Sequence, residues 1–263
     1  MSTLAVPRPT HTLVDSLTMV RRSLLRLRRY PSLTIMLIVL PLIFLLLFVY
    51  VLGGTLGAGL GGGRADYLAY VVPGILIMTA ASTAQGTAIT VAMDMTEGVV
   101  ARFRTMSIAR VAVLTGHVAG AVVQTLIAQV VVLGVALLLG FRPDGGVPGV
   151  LAAFGVLAVI GFALAWLSVA LGMVSRSVET ASNLPMPLVF LPFLSSGFVP
   201  TTSMPAGLQW FAAHQPFTPM IETVRGLLTG TPVPASTLGL ALGWAALVAL
   251  IGYLVARRLY ETR

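Results

Sequence analysis

The chain has 263 residues, of which 57% are apolar and 9% charged, with a formal net charge of +8 and a mean hydropathy of +0.97. Soluble domains carry roughly a quarter charged residues, so this composition excludes an ordinary globular protein and points to an all-α integral membrane protein. All sixteen basic residues are Arg and Cys is absent, which removes the lysine of a phosphate-binding G-x-x-x-x-G-K-[ST] loop, structural disulfides and thiol nucleophiles together. The positive charge is distributed by membrane side rather than gathered on one groove-sized face, which argues against nucleic acid as a partner.

Residues 1–12 are polar and Pro-bearing, and read as a flexible tail. Over 13–30, Leu13, Leu17, Val20, Leu24 and Leu27 recur at alternating four- and three-residue steps, with Asp15, Arg22, Arg26 and Arg29 on another face. That pattern predicts an amphipathic interfacial helix, its basic side toward anionic headgroups. Tyr30-Pro31 ends it, and the remainder, 31–263, reads as one transmembrane domain of six spans.

The first span is expected at 33–52, twenty residues without a charge, too long and too far in for a cleaved signal peptide. A Gly-rich outer loop is expected over 53–66. The second span, 67–93, has Pro73-Gly74 near its outer end and small or hydroxyl residues from Ala80 to Thr90, among which Ser82, Thr83, Gln85 and Thr87 suit bonds between helices.

After it comes DMTEGVVARFRTMSIAR, residues 94–110, the one compact cluster of mixed charge between apolar segments. A single Arg or Asp at mid-bilayer costs roughly 2.5 to 3.5 kcal/mol, so this stretch is expected as a loop outside the hydrocarbon. Its acidic start (Asp94, Glu97), its apolar positions Val99, Val100, Phe103, Met106 and Ile108, and its basic end (Arg102, Arg104, Arg110) describe a short helix with charges matched to its dipole. A helix of that kind lying under a membrane suits docking on a partner.

The third and fourth spans are expected at 111–139 and 150–174, joined by an outer turn with Arg142 and Asp144; an inner loop over 175–180 holds Arg176 and Glu179. The fifth, 184–199, contains Pro185, Pro187 and Pro192, so it is expected to be kinked or broken, with freed carbonyls that protein or water must satisfy. Residues 200–234 are too apolar for a plain loop. Helical stretches at 204–213 and 220–228, split by HQPFTP, predict a re-entrant hairpin in the outer leaflet with Trp210 and Phe211 near headgroup level. Glu222 and Arg225, three apart on its second helix, are expected to pair and to make the hairpin an outer gate. The sixth span is 237–256, followed by Arg257 and Arg258. With both termini inside, thirteen arginines are cytoplasmic and only Arg64, Arg142 and Arg225 lie outside, as the positive-inside rule requires.

The basic N-terminal helix, the VPG near the outer end of the second span, the EGVVARFRTMSIAR loop and FLSSGFVPTTSMPAGLQWFAAHQPFTPMIETVRGLLTG together resemble the ABC transporter type-2 permease family, and within it the daunorubicin-resistance group of bacterial drug-export permeases. The resemblance covers nearly the whole chain. It implies a permease of the bacterial cytoplasmic membrane that dimerises with a second copy or a paralogue and binds two copies of a separate ATPase subunit. ATP and Mg would be held by that subunit, with no cofactor and no metal in this chain. It further implies that the loop after the second span is a coupling helix, mapped here onto Asp94, Glu97, Arg102, Phe103, Arg104 and Arg110. The second and fifth spans would line the substrate route, for which Thr83, Gln85, Phe190, Phe193 and Ser196 are the candidates, and Trp210, Glu222 and Arg225 would belong to the outer gate. Relatives of this fold move drugs, lipids and polysaccharides, so a polysaccharide or glycolipid cargo stands beside a drug- or lipid-like one.

Two other classes compete. An ion-coupled transporter keeps an ionisable group inside a span, whereas all eight acids here are expected in loops, tails or span ends. An intramembrane hydrolase would need a base near Ser195-Ser196, and among the three His only His214 is expected on the same side.

Overall fold

A computed structural model describes residues 31–96 and 110–262, together with Thr18, Val20, Arg21 and Leu25, and among these all regular structure is helical. The expected tail and most of the interfacial helix lie outside the described residues, as do Glu97, Arg102, Phe103 and Arg104. The helices are α1 (Pro31–Leu46), α2 (Gly53–Gly59), α3 (Arg64–Thr96), α4 (Arg110–Leu138), α5 (Gly146–Val174), α6 (Val178–Asn183), α7 (Met186–Phe190), α8 (Ala206–His214), α9 (Phe217–Thr229) and α10 (Ala235–Thr262). A π-helical stretch, Leu47–Leu52, joins α1 to α2 without interruption.

Among the described residues five helical stretches are long and apolar enough to cross a membrane: Ile35–Gly59, Arg64–Thr96, Leu114–Leu138, Gly146–Val174 and Ala235–Tyr260. The arginine-poor side, called outer here, carries the α2–α3 and α4–α5 turns and the α8–α9 hairpin.

Two boundaries differ from expectation for physical reasons. The Gly-rich stretch 53–66 is not a plain loop, because the first helix runs on to Gly59 and α3 begins at Arg64. Gly57 and Gly63 pack backbone to backbone where any Cβ on Gly57 would collide, and the Asp66 carboxylate accepts from the Gly63 amide at 2.7 Å to start α3. The expected fifth span, 184–199, is not one helix. α7 lasts five residues, a 3₁₀ turn follows over Leu191–Leu194, and the backbone is extended at Ser195. Pro187 and Pro192 each remove an amide from the helical ladder and crowd the preceding turn, so the segment is built of short pieces.

α3 is the central helix. It packs against α1, α4, α5 and α9, while α10 lies along α5. Its threonines satisfy themselves, Thr79, Thr83 and Thr87 each donating to the carbonyl four residues back. Two apolar cores result: a large one around Ile75, Leu76, Leu157, Ile160 and Ile221, and a smaller inner one around Val91, Leu114, Val118, Met173 and Tyr260 that unites α3, α4, α5 and α10. At 1.5 Å per residue, α3 is about 50 Å long, well beyond a hydrocarbon core of about 30 Å, so its last turns project toward the inner surface.

Candidate functional site

The broken segment leaves carbonyls without helical partners, and polar side chains from three other elements supply the donors. Tyr67 and Tyr70, three residues apart on one face of α3, donate to Phe198 O at 3.1 Å and Ser196 O at 2.8 Å. From α9, Arg225 donates through Nη2 to Ser196 O at 2.6 Å and to Tyr70 O at 3.2 Å, and its guanidinium carbon lies 3.9 Å from the centre of the Tyr70 ring. Gln215, between α8 and α9, donates to Leu191 O at 3.2 Å and Leu194 O at 2.8 Å. At the inner end, Gln85 of α3 reaches Ser182 O of α6 at 2.7 Å. The segment is thus tied to α3 at its outer end, to the hairpin through Gln215 and Arg225, and to α3 at its inner end through the preceding α6.

Backbone packing fixes the same junction. A Cβ on Gly74 would lie 2.7 Å from Gly197 O, so α3 and the turn that follows the break touch where only Gly fits. Pro73 beside it takes one amide out of the α3 ladder. Burial pulls the Arg225 guanidinium below its ordinary pKa and the nearby Glu222 opposes the shift. A guanidinium stays protonated in either case, and its charge here is matched by two carbonyls and an aromatic face.

One side of the break carries aromatic rings. Phe193 stacks on Phe198 with centroids 4.5 Å apart, lies 5.0 Å from Phe44 and 6.1 Å from Phe48 of the first helix, and has Phe190 at 6.3 Å. Phe190 is 55% exposed and Phe44, Phe48 and Phe193 are half-buried, so the cluster presents an open aromatic face. Beside it, Ser196 Oγ and Gln215 Oε1 are buried and have no partner among the described residues.

The residues singled out in the sequence distribute unevenly over this site. Phe190, Phe193 and Ser196 lie on the break, and Gln85 holds its inner end. Thr83 does not face it: its hydroxyl meets that of Thr125 on α4 at 2.7 Å, so it joins α3 to α4. The expected Glu222–Arg225 pair is replaced by the carbonyl bonds above, Glu222 being exposed. The Ser196 carbonyl on the break, the Tyr70 carbonyl of α3 and a ring face outcompete a carboxylate that water already solvates. Trp210 is 66% exposed and stacks on His214 at 4.7 Å. Asp94, expected in a solvated loop, is in the last turn of α3 and only 2% exposed, while Arg110 begins α4. Tyr67, Tyr70 and Gln215 went unnoticed in the sequence, although a Tyr hydroxyl or Gln amide in an apolar stretch announces a partner to be found. For the hydrolase reading, Ser195 donates to Pro192 O and His214 Nδ1 meets Trp210 O at 2.7 Å, so both are engaged elsewhere.

Comparison with known proteins gives one consistent result. Residues 15–229 match the family described as ABC-2 type transporter. The chain is 31% identical over 217 residues to the daunorubicin resistance ABC transporter permease protein DrrB1 of Streptomyces coeruleorubidus, an alignment covering 82% of this chain and 75% of that protein. It is 27% identical over 181 residues to the probable doxorubicin resistance ABC transporter permease protein DrrC of Mycobacterium tuberculosis (strain CDC 1551 / Oshkosh), covering 69% of this chain and 65% of that one.

Proposed function

The chain belongs to the ABC-2 type transporter family, and from that premise we propose that it is the membrane permease subunit of an ATP-driven exporter moving a hydrophobic or amphipathic cargo outward. Two copies of a separate ATPase subunit bind ATP and Mg, and the permease acts as a dimer in the bacterial cytoplasmic membrane. The stretch between α3 and α4, residues 97–109, faces those subunits.

Topology supports this assignment. Five long helices would leave the termini on opposite sides, with Arg257 and Arg258 outside; a sixth crossing by the broken segment returns both ends to the arginine-rich side. The α8–α9 hairpin then lies in the outer leaflet and closes the outer end of the route.

The observation that carries the reading is the attachment of the broken segment to α3, directly at its outer end and through α6 at its inner end. A helix that runs from the outer break directly into the stretch facing the ATPase can carry movement between them as a rigid rod, and the break, held by side-chain bonds, can yield without unfolding a helix. The open aromatic face fits a mostly apolar cargo. The relatives' association with daunorubicin and doxorubicin agrees with a drug-like molecule of that kind.

The test is co-reconstitution with the ATPase subunit in proteoliposomes. The proposal expects the permease to stimulate ATP hydrolysis and to move a hydrophobic fluorescent cargo only when ATP is hydrolysed. Transport by the permease alone, driven by an ion gradient, would overturn it.

A further inference from the structure

Asp94 and His117 form a buried contact between the two helices that residues 97–109 connect. Asp94 Oδ2 lies 3.4 Å from His117 Nε2, with 4% and 11% of the two side chains exposed. Asp94 sits one turn beyond Val91 on α3, and His117 lies between Leu114 and Val118 on α4, so the contact borders the inner core where α3, α4, α5 and α10 meet.

Asp94 is not where its own helix would want it: a carboxylate in the last turn of α3 faces the negative end of that helix dipole, while His117, the eighth residue of α4, lies beyond the reach of the other. Apolar residues would pack this border at least as well, because burying a polar pair is often no more stabilising than burying hydrocarbon of the same volume. What such a pair provides is register: a close contact between two buried polar groups survives only one relative placement of the helices, whereas apolar surfaces tolerate sliding.

We propose that Asp94 and His117 are positioning residues for coupling, holding the inner ends of α3 and α4 in the one register from which an ATPase subunit can move α3. This rests on the proposed permease role. The contact sits at the end of α3 remote from the break, outside the route, and so differs from the mid-span carboxylate of an ion-coupled transporter.

The experiment uses the complex of permease and ATPase subunit in lipid nanodiscs and reads stimulated ATP hydrolysis, ATPase-subunit binding and the thermal midpoint of the permease. Wild-type stimulation is the control: if it is absent, the permease role fails and not the positioning role. D94A and H117A are expected to lower stimulation about tenfold, within the range of coupling between distant sites, while the ATPase subunit still binds. The exchange D94H/H117D is expected to restore at least about half of it, and H117Q, which keeps a side-chain donor, to retain more than H117A. If the single variants bind and stimulate as the wild type does, or if the exchange restores the thermal midpoint but no stimulation, the proposal is overturned.

Discussion

α3 and α10 are both long enough to cross a membrane, and they obey opposite rules. α3 is the least apolar of the five long helices, yet 89% of its most apolar stretch is buried; α10 is more apolar and only 17% of its stretch is buried. The first helix, the most apolar of all, is 22% buried. In water the order would be reversed. Here lipid is the solvent, hydrocarbon side chains gain nothing by turning inward, and the interior is left to small and hydroxyl residues that pack closely and bond. Polarity within a span therefore marks the helix with the most protein around it, and in this chain that helix also reaches the inner end and holds the break.

The sharpest way to break this comparison is one substitution made on both helices. Gly74→Leu forces a side chain into Gly197 and should lower transport by about a hundredfold, with an overpacking cost of about 1–3 kcal/mol, whereas Gly243→Leu on α10 meets open space and should leave transport unchanged. Transport by the reconstituted complex, beside size-exclusion profiles of the permease, checks both. The next largest effect is expected at Arg225. Its replacement by Ala removes the charge-assisted bond to Ser196 O and the stacking on Tyr70, together about 2–4 kcal/mol; transport should fall at least about tenfold. Glu222→Gln should be silent, and the double variant should match Arg225→Ala, because the two do not form the pair that would make the double milder.

Gln85→Leu releases only the inner attachment to Ser182 O and should lower transport about threefold to fivefold, near the value of one hydrogen bond. Smallest of all, Leu250→Ala and Leu254→Ala, 54% and 52% exposed on α10, should change the thermal midpoint and transport within error. A large effect there would mean that α10 is covered by something other than lipid.

Much of the fold was legible because it is written in local runs. Twenty apolar residues span a bilayer whatever surrounds them, and three prolines in sixteen residues break a helix. What was not legible is how distant groups meet. Arg225 is 155 residues from Tyr70 and 29 from Ser196, and only the meeting of α3, the break and α9 makes those contacts preferable to Glu222 three residues away. Asp94 reads as a loop residue because a charged cluster does not reveal which member lies within the helix; the pointer to its burial is His117, the one His near an inner span end. The helix over Gly53–Gly59 ran against the turn signal of its glycines, since a helix in lipid gains more from closing its own backbone bonds than glycine entropy costs.

The central claim is that α3 moves the broken segment relative to the rest of the bundle when the ATPase subunit turns over. Spin labels on cysteines introduced at Phe190 on the break and Leu247 on α10, 55% and 45% exposed in a chain without native Cys, report that distance by pulsed electron resonance; a pair at Val174 and Leu247, on the packed α5 and α10, serves as the reference. The account predicts that trapping the ATPase with ATP and vanadate shifts the first distance and leaves the second unchanged. An unchanged Phe190–Leu247 distance in a complex that hydrolyses ATP and transports cargo would contradict it.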